Sequence, residues 1–166
     1  YHNLTPNNQI AKHVYESLVE QDETQKIIPG LAESWRIVDD TTWEFKLRPG
    51  VKFHDGSALT VEDIVFSFNR VPNVPKSPAP KTAYVRGKII EKVDDLTLRI
   101  KTEKPEALML NHVAQIDIMS SKAAASATTE DLNAGKGSVG TGPYQFVEFV
   151  PGDRYVLKRN DSHWRG

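Results

Sequence analysis

Cysteine is absent from the 166 residues, which excludes thiolate metal sites, cysteine nucleophiles and a disulfide framework. That absence leaves the compartment open, because exported proteins also do without cysteine. Excess positive charge is missing too. With 21 Lys+Arg against 22 Asp+Glu and a net charge of −1, the chain has no basic footprint for nucleic acid. No long apolar run occurs: the best stretch, 107–116, is interrupted by Asn111, His112 and Gln115 and is far too short to cross a bilayer. The sequence begins at Tyr1 without Met or an apolar leader, as expected if any signal peptide has been removed or was never included, and it stops at Gly166 just after a strand-like segment, as a piece of a longer chain would. What is present is the material of a folded body. Apolar residues make up 39% and charged residues 26%, and a chain of this size buries roughly two-thirds of its unfolded surface.

Periodicity gives the elements. Ile10, Val14, Leu18 and Val19 fall on one face and predict a helix over 10–20, started by Pro6 and Asn7-Asn8. After Pro29-Gly30, the segments 31–38 and 42–47 read as a hairpin turned by Asp39-Asp40-Thr41, because Trp43, Phe45 and Leu47 alternate with Thr42, Glu44 and Lys46. Thr60 with Asp63 forms a capping-box signature ahead of Val61, Ile64, Val65 and Phe68. Pro72, Pro75, Pro78 and Pro80 make 71–81 a loop. A second hairpin follows over 88–93 and 96–101, then a helix over 103–112, a short apolar run over 116–119, and a frayed helix over 121–129. A glycine cluster over 135–142 leads to a third hairpin, 144–150 and 154–159, joined by Pro151-Gly152-Asp153. Hairpins interleaved with helices, without strand–helix–strand alternation, predict an α+β fold with an antiparallel sheet built from hairpins and flanked by helices.

Catalytic motifs are scarce. Gly135-Lys136-Gly137-Ser138-Val139-Gly140 spells G-x-G-x-x-G, yet a helix precedes it, a strand follows, and Pro143 intervenes, so it reads as a connection and not a dinucleotide loop. A phosphate loop would need glycine where Glu130 stands. There is no G-x-S-x-G elbow. His54-Asp55-Gly56 is the nearest thing to a catalytic or metal pair, but adjacent side chains in extended backbone point apart, and Asp-Gly suits the turn before the capped helix. His2, His13, His112 and His163 are scattered, without ligand spacing. Trp35, Trp43, Phe45, Phe53 and Phe66 are expected in the core. Tyr84, after the proline-rich loop, is an aromatic open to a ligand. Asp117 interrupts an apolar run, as a solvated strand face or as a partner for a polar ligand group.

Several segments together carry a resemblance. Pro29-Gly30-Leu31-Ala32-Glu33-Ser34-Trp35 is followed by Thr42-Trp43-Glu44-Phe45-Lys46-Leu47-Arg48 and Val51-Lys52-Phe53-His54-Asp55-Gly56. Thr60-Val61-Glu62-Asp63-Ile64-Val65-Phe66-Ser67, Gly140-Thr141-Gly142-Pro143-Tyr144 and Arg159-Asn160-Asp161-Ser162-His163-Trp164 complete the order. The series resembles the family 5 extracellular solute-binding proteins of bacterial ABC importers, receptors for peptides, nickel and related solutes.

The resemblance implies a two-lobe protein about three times this long, of which the chain supplies the peripheral subdomain of lobe one. Residues 1–30 would be an opening loop and first helix, 31–143 the α+β subdomain, and 144–166 a closing hairpin leading to the remainder. It implies a non-enzyme without cofactor, metal or catalytic residues, monomeric, partnered by a solute and a membrane permease. The protein would be periplasmic or extracellular, and lipid-anchored in a Gram-positive host. Solute contacts would fall on the loop 5–9, with Asn7, Asn8 and Gln9, on Tyr84, near where relatives place an aromatic, and on Asp117. Nickel-binding relatives have an Arg near that last place, so an acid there implies a cationic solute end, such as a peptide amine. A short peptide is the expected solute, and the isolated chain would fold but bind little. The rival readings are a metal-dependent hydrolase-type enzyme centred on His54 and Asp55, and a stand-alone protein-interaction module.

Overall fold

The computed structural model describes residues 5–74, 81–150 and 153–166. Its centre is a four-stranded antiparallel sheet. Strands β3 (Ala32–Asp39) and β4 (Thr42–Leu47) form the first predicted hairpin, β5 (Lys88–Lys92) and β6 (Thr97–Thr102) the second, in spatial order β3-β4-β6-β5. The register sets Trp35 beside Phe45, Phe45 beside Leu98, and Ile90 beside Ile100. Phe45, Leu47, Leu98 and Ile100 are fully buried on one face, while Trp35 and Trp43 are half-buried at its margin. On the opposite face Glu44 lies between Arg36 (2.7 Å) and Arg99 (2.9 Å), whose hydrogen bonds hold its carboxyl below the usual range. One face is dry and the other charged, as the alternation of β4 requires.

Helix α2 (Val61–Arg70) lays Val61, Ile64 and Phe68 on the dry face. The Thr60 backbone N–H donates to Asp63 Oδ2 at 3.0 Å, the acid half of the expected capping box. The other oxygen of Asp63 accepts from the Ser121 N–H at 2.8 Å, so the same acid fastens the start of a later helix. Phe66 is half-buried at the edge of that helix and does not belong to the core cluster.

The first helix departs from its expected place. Helix α1 spans Thr5–Val14, so residues 5–9 are helical and not a loop; beyond Val14 the chain is extended, into β1 (Val19–Gln21) paired with β2 (Ile27–Pro29). Val14, Leu18 and Val19 are buried, as their spacing implied, but the helix is interrupted because other segments claim its carbonyls. Val14 O accepts from Gly142 (2.9 Å), Glu16 O from Ile118 (2.9 Å), Ser17 O from Leu31 (3.0 Å) and Leu18 O from Ala32 (2.8 Å). Long-range hydrogen bonds thus override local propensity.

The helix over 103–112 shrinks to α4 (Met109–Val113), since Pro105 forces the residue before it out of helical backbone. Between α2 and β5 stands the short α3 (Thr82–Val85). The frayed segment is α5 (Ser121–Ala124), followed by α6 (Thr129–Asn133), which the Thr128/Asp131 capping box starts. Strands β7 (Tyr144–Val150) and β8 (Arg154–Arg159) form the third hairpin as expected; Pro151 and Gly152 of its turn, like Pro75, Pro78 and Pro80, lie outside the described residues. No described helix is long and apolar enough to cross a membrane.

The glycine cluster is a contact device. Gly135 and Gly137 have positive φ in a connection from α6 towards β7, and no helix begins on the G-x-G-x-x-G letters. A Cβ at Gly140 would stand 2.0 Å from Val14 O, far inside van der Waals contact. Gly140→Ala is therefore expected to lower stability by roughly 1–3 kcal/mol, the range for overpacking. Denaturant melts check this, and an unchanged midpoint would contradict the close approach.

Candidate functional site

A cluster of polar side chains forms where α3, α4 and the buried segment 115–119 meet. The segment is not a strand. Ile116, Ile118 and Met119 are buried on both sides of the chain, fixed by the Ile118 bond to Glu16 O and by the Met119 N–H, which donates to Ser67 Oγ at 2.9 Å. Asp117 is buried with them, which removes the solvated-face reading. Lys81 Nζ lies 2.9 Å from Asp117 Oδ2 and donates to Gln115 O at 2.8 Å; the two side chains are 4% and 12% exposed. Each charge offsets the other's loss of water.

Tyr84, on α3, belongs to the same cluster. Its backbone N–H donates to Lys81 O at 3.0 Å, and its ring packs on His112 of α4 with centroids 5.5 Å apart. His112 Nδ1 in turn contacts Glu106, and both Glu106 oxygens accept from Lys88 Nζ at 2.7 Å. Tyr84 and Asp117 are thus brought together through Lys81. Asn7, Asn8 and Gln9 lie on a different element, the first turns of α1, where Gln9 O accepts from His13 Nδ1 at 2.8 Å.

Beside this cluster lies a cavity of about 180 Å³, lined among others by Tyr15, Glu16, Gln21, Ala114, His163 and Arg165. Burial pushes the Tyr15 phenol up to about 12; a Ser138 hydrogen bond opposes this, and the nearby Tyr155 and Asp117 add to it. Tyr15 is therefore a neutral hydroxyl at physiological pH. Glu16 is buried, with its two oxygens accepting from His163 Nε2 (3.1 Å) and Trp164 Nε1 (2.8 Å). Arg48 and Arg165 stand over the Trp164 ring at 4.3 and 4.5 Å. The Asn160–Trp164 motif is in this way locked onto the segment after α1.

Single histidines show no ligand spacing in the sequence, so His112 and His163 carry no signal there, and Lys81 reads only as the end of a proline-rich stretch. Their roles come from contacts between residues distant in the chain.

His54 and Asp55 serve structure. Asp55 Oδ1 accepts from the Ser57 N–H (2.9 Å) and hydroxyl (2.6 Å), forming the expected turn, while the helix cap belongs to Thr60 and Asp63. His54 Nε2 donates to Gly142 O at 2.9 Å, and Nδ1 accepts from the Gly140 N–H at 3.3 Å. Both ring nitrogens are occupied by the glycine cluster, leaving neither to move a substrate proton. Burial lowers the His54 pKa from its ordinary 6.5. The unfolded chain takes up this proton near 6.5 and the folded chain only at lower pH. The stability linked to this group is therefore complete above the unfolded value and declines as pH falls below it. Thermal melts between about pH 7.5 and about pH 5 are expected to show this decline, and His54→Asn to flatten it. An equal decline in the variant would refute the assignment.

The model of the bacterial extracellular solute-binding proteins, family 5 Middle, matches residues 26–166. The heme-binding protein A of Haemophilus influenzae is 35% identical over 98% of this chain and 34% of its own length. The glutathione-binding protein GsiB of Pectobacterium atrosepticum is 35% identical over 94% of this chain and 30% of its own. Among solved structures, the oligopeptide-binding protein AppA of Bacillus subtilis, in complex with a nonapeptide, superposes with a TM-score of 0.85 at 25% identity, covering 100% of this chain and 34% of that one. The chain spans about a third of the length of the curated relatives it matches.

Proposed function

Because the chain belongs to the family 5 bacterial extracellular solute-binding proteins, we propose that it is part of the substrate-binding component of an ABC importer. The protein captures a short peptide outside the cytoplasm and delivers it to a membrane permease. The family match along 26–166 carries this reading. The names of several relatives favour a peptide: besides the glutathione-binding protein, they include the murein peptide-binding protein MppA and the dipeptide-binding protein of Escherichia coli. A receptor of this kind needs a shaped cleft with polar anchors and no nucleophile or cofactor.

In this reading residues 31–143 are the peripheral subdomain of lobe one and 144–166 the hairpin that leads to the rest. The protein works as a monomer in the periplasm or at the cell surface, held there by a lipid in a Gram-positive host. Asn7, Asn8, Gln9, Tyr84 and Asp117 face the solute. Asp117 is the anchor for a cationic end. A peptide ammonium would share its carboxylate with Lys81, whose 2.9 Å ion pair already orients it.

The test is Asp117→Asn in the full-length protein, titrated with a free-amine tripeptide and with its N-acetylated form. Losing one charge-assisted contact is expected to weaken the free-amine peptide roughly tenfold and leave the acetylated one unchanged. Equal affinities of the variant and the parent for the free-amine peptide would sink the role of Asp117.

A further inference from the structure

Lys88 is an unusual first residue for a strand, since its side chain is only 1% exposed. A buried ammonium costs several kcal/mol unless a counter-charge accompanies it. Glu106 fills that need with both oxygens, each 2.7 Å from Nζ. A carboxylate gripped in this way has little freedom left. One of the same oxygens contacts His112 Nδ1, and Lys88 Nζ lies 3.4 Å from that nitrogen, so the imidazole cannot turn without breaking these contacts. The ring locked by this chain is the one against Tyr84, at 5.5 Å and an interplanar angle of 48°.

Tyr84 needs such support. Its helix, α3, has four residues and no side-chain cap at its N-terminus, and a helix that short has almost no intrinsic stability. Lys81 fixes the backbone at its start through Gln115 O and Asp117. The contact with His112 bears on the ring itself. Ordering an aromatic side chain before a ligand arrives lowers the entropy lost on binding.

We propose that His112 is a positioning residue for Tyr84, held in place by Glu106 and Lys88, and that this chain pre-sets the tyrosine ring for the solute. The inference rests on the reading that Tyr84 contacts the solute. Its action is indirect: His112 affects solute affinity only through Tyr84.

The experiment is a double-mutant cycle in the full-length protein, using as probe the tightest binder from a pool of unblocked tripeptides. H112A is expected to weaken binding about fivefold when Tyr84 is present and less than twofold in the Y84A background, with Y84A alone weakening it at least as much as H112A. His112→Phe, which keeps a ring against Tyr84, is expected to recover part of the loss. A general structural role would give the same loss in both backgrounds, and that result, or no loss at all from H112A, overturns the inference. If H112A fails to fold, His112→Gln completes the cycle by the same criteria, since it removes the ring while Glu106 stays paired with Lys88. An unchanged affinity in Y84A, or no peptide bound by the parent protein, overturns the reading of Tyr84 itself and the inference with it.

Discussion

Four hydrogen bonds to one short stretch of backbone hold the molecule together. The carbonyls of Val14, Glu16, Ser17 and Leu18 accept from Gly142, Ile118, Leu31 and Ala32, so the segment after α1 touches the closing hairpin, the buried 115–119 run and the central sheet at once. Buried carbonyls need partners, and here the partners come from three distant parts of the chain. Gly140 and Gly142 make the approach possible because a side chain at either would collide with the His13–Val14 backbone. His54 reinforces the seam from the other side, with both ring nitrogens on that glycine segment.

The polar cluster follows from the seam. Ile118 can bond Glu16 O only if the 115–119 run is drawn inside, and Asp117 is drawn in with it. A carboxylate so placed requires a cation, which Lys81 supplies from the start of α3, and the same lysine positions the backbone of Tyr84. Two ion pairs, Lys81 with Asp117 and Lys88 with Glu106, lie in the interior, and Glu16 is held there by hydrogen bonds from the indole and imidazole of the last residues. Such pairs add little net stability, but they fix geometry, and fixed geometry is what a binding surface needs.

The legible parts of this fold were the local ones. The alternation of Trp43, Phe45 and Leu47 and the Thr60/Asp63 cap depend on neighbours in sequence, and the hairpins and α2 stand where those signals put them. The helix over 10–20 failed for the opposite reason. Its apolar spacing was real, since Val14, Leu18 and Val19 are buried, but periodicity is silent about partners a hundred residues away that take its carbonyls. Pro105 was a visible warning against the helix over 103–112. The Thr128/Asp131 box that starts α6 was equally visible. The pairing of Lys81 with Asp117, and the chain from Lys88 to His112, had no signature, because nothing in a single lysine or histidine names its partner. Order and spacing of whole segments, from Pro29-Gly30 to His163-Trp164, pointed to the family, and the match over 26–166 agrees.

Whether this chain helps to hold a peptide is read most plainly by native mass spectrometry of the full-length protein purified from its host. A bound molecule is expected whose fragmentation yields amino-acid residues and which dissociates when the protein unfolds. A bound molecule that contains no amino-acid residue would refute the peptide reading.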